Sequence, residues 1–102
     1  MSKIELFKPV EFDGVTYNEI NLDLDGLTAG DMIGVERQYN SLAAENATTF
    51  SKELSKEYQL ITAARAAKMP LEFFYLLSAR DFTKVTVRVQ NFFTGADLLA
   101  VE

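Results

Sequence analysis

Cysteine, histidine and tryptophan are all absent from these 102 residues. Without cysteine there is no disulfide and no thiolate nucleophile, and without either cysteine or histidine the usual donors for zinc and other transition metals are missing. The loss of imidazole also removes the side chain that most often serves as a general base near neutral pH. Conventional catalysis is therefore not expected, and neither is a metal or a cofactor. Glycine occurs five times, at positions 14, 26, 30, 34 and 95, a scatter with no phosphate-cradling loop in it. Positive charge is scarce as well: 10 Lys and Arg face 15 Asp and Glu, a net charge of -5. A nucleic-acid partner calls for a basic surface and is disfavoured. No stretch approaches the about 20 apolar residues that span a bilayer, and Met1-Ser2-Lys3-Ile4-Glu5 lacks the pattern of a secretory signal. No membrane partner is expected, and the chain reads as a soluble cytosolic protein. The sequon-like Asn46-Ala47-Thr48 carries no information in that setting.

What is present suits one compact domain over residues 1–102, with 48% hydrophobic and 25% charged side chains and with eight Phe and four Tyr for a core and some contact surface. The charge is uneven. Residues 1–27 carry two Lys against six acids, whereas residues 28–102 carry eight basic against nine acidic side chains. Ile4, Leu6, Val15, Tyr17, Ile20, Leu22 and Leu24 alternate in part with polar neighbours, and Asp13-Gly14 between Phe12 and Val15 is a two-residue turn signal. A β-hairpin over residues 3–24 is predicted, with an edge or a bulge at Pro9, which has no N–H for the ladder.

From Thr28 the period changes to about 3.6, predicting a helical body over residues 28–94. Thr28-Ala-Gly-Asp31 resembles a capping box, and Met32, Val35, Tyr39 and Leu42 follow along one face of a helix ending near Glu45. Asn46-Ala-Thr-Thr reads as a connection. Ser51 is a candidate cap for a second helix bearing Leu54, Tyr58, Ile61 and the small Ala63, Ala64, Ala66 and Ala67, which suit close approach of another helix. Pro70 suits the first position of a short third helix through Leu77. Ser78-Ala-Arg-Asp81 repeats the capping pattern and Gly95 supplies a stop. Between them Val85, Val87 and Val89 alternate as in a strand, but Phe82, Val85, Val89 and Phe92 keep helical spacing, so a fourth helix is predicted. The fold class is α+β: an N-terminal β-hairpin followed by a small bundle of about four helices, with residues 95–102 as a tail that is loosely ordered or docked through Leu98 and Leu99.

Three constellations bear on function. Asn21-Leu-Asp23-Leu-Asp25-Gly26 imitates the opening of a calcium-binding loop, but its twelfth position is Met32 in place of a bidentate Glu, so a polar strand end and turn is the preferred reading. Arg80, Lys84 and Arg88 recur at i, i+4 and i+8, a ridge that is either a solvated helix face or a dock for an acidic partner segment or the acidic hairpin of another copy. Residues 71–77 hold six large apolar side chains in seven positions, more than one core-facing stripe accommodates. Phe73, Phe74, Tyr75, Phe92 and Phe93 are thus candidates for a binding or oligomerisation patch, the alternative being a short helix buried on all sides.

The order of features resembles the phage tail assembly chaperone family, small proteins encoded beside the tape-measure protein. The resemblance rests on Ile4-Glu-Leu6 with Lys8-Pro9-Val10, then Asp13-Gly14-Val15, Leu22, Thr28-Ala-Gly30-Asp31, Met69-Pro70, Asp81, Val85, Val89 and Phe92-Phe93. It implies a hairpin and helical body without catalysis or cofactor, the tape-measure protein and tail-tube protein as partners, and the bacterial host's cytoplasm as location. On that reading the partner-binding residues are Phe73, Phe74, Tyr75, Phe92, Phe93, Arg80, Lys84 and Arg88. The alternative is a structural tail or connector component, or another small oligomeric interaction module.

Overall fold

The computed structural model describes residues 2–42 and 55–95. Strands β1 (Ser2–Phe12) and β2 (Val15–Leu22) pair antiparallel across Asp13 and Gly14, whose φ values of 56° and 79° are those of a type I′ turn. Ile4 faces Ile20, and both are buried with Leu22 on the inner side of the sheet. The hairpin ends two residues earlier than its alternation predicts. Leu24 does reach the core, but from a short 3-10 turn over Leu24–Gly26, while the Asp23 N–H turns to the Ala66 carbonyl at 3.3 Å.

The ladder breaks between Glu5 and Val10: five residue steps on β1 oppose two on β2, between Glu19 and Tyr17. Pro9 lies in this bulge, where its missing N–H leaves no gap in the pairing. The bulge turns Phe7 outward, 62% exposed.

Helix α1 (Ala29–Leu42) opens with the predicted capping box, the Thr28 N–H donating to Asp31 Oδ2 at 2.9 Å and the Asp31 N–H to Thr28 Oγ1 at 3.1 Å. Helix α2 (Lys56–Ala67) is capped by Ser55, whose hydroxyl accepts from the Tyr58 N–H. Ser51, Leu54, the helix end near Glu45, the connection at 46–49 and the tail with Leu98 and Leu99 lie outside the described residues. Tyr58 through Ala64, with Ala66, are all buried, so α2 is the central element, packed against α1, α4, β2 and the segment that follows it. Its small residues serve as expected: Ala63 is fully buried, and Arg65 lies over Gly34 of α1 so closely that a Cβ there would stand 2.9 Å from the guanidinium.

Helix α3 (Leu71–Tyr75) is shorter than predicted, and Pro70 is its N-cap instead of its first residue. It stops because the Leu76 and Leu77 N–H groups bond three residues back, tightening the chain into Ser78, the cap of the next helix. Helix α4 (Ala79–Thr94) runs to Gly95 in the left-handed conformation at φ 75°. Its helical period decides the valine ambiguity: Val85 and Val89 are fully buried, while Val87 is exposed on the far side.

Candidate functional site

The site begins with a pin. Asp81, in the first turn of α4, is fully buried, and its carboxylate accepts the Phe7 N–H at 2.8 Å and the Lys8 N–H at 3.0 Å. Both N–H groups lie in the bulge, where β1 has no partner residues in β2. The Ser78 hydroxyl donates to Asp81 Oδ2 at 3.0 Å, and Lys84 Nζ lies 3.6 Å from Oδ1 while donating to the Glu5 carbonyl at 3.1 Å. Burial alone pushes the Asp81 carboxyl up; the two backbone N–H donors, the Ser78 hydroxyl and the Lys84 charge outweigh it and hold the group below the usual carboxylate range. Ser78 is the cap of α4, and the Asp81 carboxylate, announced by its spacing as the other half of a capping box, serves the hairpin instead. It fastens α4 alongside β1.

Beyond the pin, helix and strand enclose an open groove of about 860 Å³, walled by Lys3, Ile4 and Glu5 on one side and by Arg80, Thr83, Lys84, Val87 and Arg88 on the other. Four cationic side chains and one carboxylate line the groove; Lys3 is paired with Glu19 and Lys84 with Asp81, so its excess positive charge rests on Arg80 and Arg88, in a chain of net charge -5. Arg80 also stacks on Phe7, its guanidinium carbon 4.1 Å from the ring centroid. Among the described residues no carboxylate pairs with Arg80 or Arg88. The predicted ridge of Arg80, Lys84 and Arg88 therefore lines one groove, with Lys84 partly engaged inside the fold.

The aromatic candidates divide. Phe73 and Phe74 are each 1% exposed, which corrects their assignment to a partner surface: Phe73 packs edge-on against Phe12, Tyr17 and Phe74, at centroid separations of 5.8, 5.1 and 5.3 Å, tying the hairpin to α3. Two rings that α3 cannot place on one stripe are accommodated because the hairpin covers one side and α2 the other. Tyr75 is exposed, next to the equally exposed Leu76. Partial desolvation, then Glu57 and Glu72, push its phenol above the ordinary value, so it remains a hydroxyl at neutral pH. Phe92 and Phe93 are half-buried, Phe93 against Tyr58 at 5.8 Å. Sequence reasoning missed Phe7, Lys3 and Val87. The register break that Pro9 signals was the available clue to Phe7, and the displacement of Val87 from the Val85 and Val89 stripe was the clue to its exposure.

The calcium-loop imitation resolves into the end of β2 and the 3-10 turn. Among the described residues no group of three or more acidic side chains converges to hold a metal ion, and no helix is long and apolar enough to cross a membrane.

Hairpin, helices and groove define a small α+β protein whose distinctive features are surfaces. A protein-family model described as "Phage tail assembly chaperone proteins, E, or 41 or 14" matches residues 3–94, a span that takes in β1 from Lys3 onward, β2, α1 to α4 and the groove. The chain belongs to this family of phage tail assembly chaperones. Comparison with curated proteins and with solved structures gives no match.

Proposed function

We propose that the protein is a non-enzymatic chaperone that binds the tape-measure protein and assists tail-tube assembly in the cytoplasm of the bacterial host. The carrying observation is the electropositive groove beside the β1 edge, with exposed Val87 among its walls and Phe7 stacked on Arg80 at its rim. Such a surface offers apolar contact and charge to a segment that would otherwise aggregate, while the net charge of -5 keeps the complex soluble. Family membership supports a partner among tail proteins. Arg80 and Arg88 supply steering, and the exposed Tyr75 with half-buried Phe92 and Phe93 supplies further apolar contact.

Co-expression with a tape-measure fragment is the test. The expected result is a several-fold rise in the soluble fraction of that fragment; no rise would overturn the reading. A chaperone is also expected to be absent from purified particles by mass spectrometry, whereas a structural tail or connector component would be retained.

A further inference from the structure

The backbone on the groove side of β1 is as informative as its side chains. Lys84 Nζ takes the Glu5 carbonyl from outside the sheet, so Glu5 turns its main-chain groups away from β2. In an antiparallel ladder the two groups of one residue point the same way and residues two apart repeat the direction, so Lys3 also turns its N–H and C=O outward. Among the described residues the sheet has two strands, and the groove opens along this edge of β1. An edge of this kind accepts another extended chain. Beyond Glu5 the edge is closed by the protein itself, because Asp81 takes the Phe7 N–H. The acceptor stretch is thus short and bounded, with Arg80 and Arg88 standing over it unpaired by any carboxylate among the described residues.

We infer that the groove binds an extended acidic segment of a partner protein as an added strand on the β1 edge, with main-chain bonds at both groups of Lys3 and at the Glu5 N–H, and carboxylates reaching Arg80 and Arg88. Charge selects the occupant: a second copy entering edge to edge would bring two such ridges together, and like charges repel. Apolar residues alternating with the acids would face Ile4 and Val87. The inference specifies the binding mode within the chaperone reading and rests on it for the partner's identity, but its test does not depend on a tail protein.

The probe is a synthetic eight-residue peptide alternating aspartate and valine, titrated into isotopically labelled full-length protein by NMR. Expected are shifts and slowed amide exchange at Lys3 and Glu5, with affinity about tenfold weaker for the lysine–valine counterpart, and about tenfold weaker for an R80E/R88E variant of unchanged thermal midpoint. Backbone N-methylation of the peptide should reduce binding by about tenfold as well, because it removes the ladder donors. Equal binding of the lysine peptide or of the N-methylated peptide overturns the inference, as does the absence of any response at Lys3 and Glu5 at millimolar peptide. If a tape-measure fragment is solubilised equally well by wild type and R80E/R88E, the groove assignment fails while the chaperone reading stands. If neither solubilises it, the chaperone reading fails, and the peptide titration still judges the groove.

Discussion

The two faces of α4 are built from one stretch of sixteen residues and do opposite work. On the inner face Asp81, Val85, Thr86 and Val89 are fully buried and hold the helix to the hairpin and to α2. On the outer face Arg80, Thr83, Val87 and Arg88 border the groove. On the proposed reading of the groove, stability and recognition are separable here to within one turn of helix. Lys84 is the exception, since it serves both the Asp81 pin and the groove wall.

Inner-face substitutions should therefore move stability, and outer-face substitutions should move binding. Replacing Asp81 by Ala leaves the Phe7 and Lys8 N–H groups and the Ser78 hydroxyl without their acceptor, at about 3 kcal/mol in urea unfolding. An unaffected midpoint would show that water replaces the carboxylate. Val89→Ala, which empties a fully buried site, should cost about 2 kcal/mol by the same measurement. Ser78→Ala removes a hydroxyl that accepts the Asp81 N–H and donates to the Asp81 carboxylate, at about 1 kcal/mol. Arg80→Glu should leave the midpoint within about 0.5 kcal/mol while weakening capture of acidic segments, and a large loss of stability would break the comparison.

Acid sharpens it further. Because the folded Asp81 carboxyl is held below its ordinary value, its contribution is present in full above the unfolded carboxylate range near pH 4 and is lost as pH falls through the lower folded value. The stability difference between wild type and Asp81→Asn should be constant from pH 7 to about 5 and shrink below about 4. A difference that widened in acid would mean that the pin is not ionised.

Local signals were legible because each depends on a few neighbouring residues. Asp13-Gly14 specified its turn through backbone sterics alone, and the Thr28–Asp31 and Ser78–Asp81 pairs satisfied orphan N–H groups within one turn. Gly95 ended α4 for the same kind of reason. The burial of Phe73 and Phe74 was not legible, since it depends on two other elements arriving from either side of a five-residue helix. Nor was the site's anchor. Asp81 has the spacing of an ordinary capping-box partner, and nothing near it announces two acceptors filled by residues more than seventy positions away.

By itself, then, the sequence determined the element types, most of their ends, the exclusion of cysteine and histidine chemistry, and the cationic ridge on the last helix. Those follow from side-chain period, capping chemistry and composition, which act over one to four residues. The tertiary structure alone decided which aromatic rings lie inside and that the ridge borders a strand edge. It decided as well that an aspartate in the first turn of the last helix joins that helix to the first strand, because each of these requires packing between segments that the chain keeps far apart.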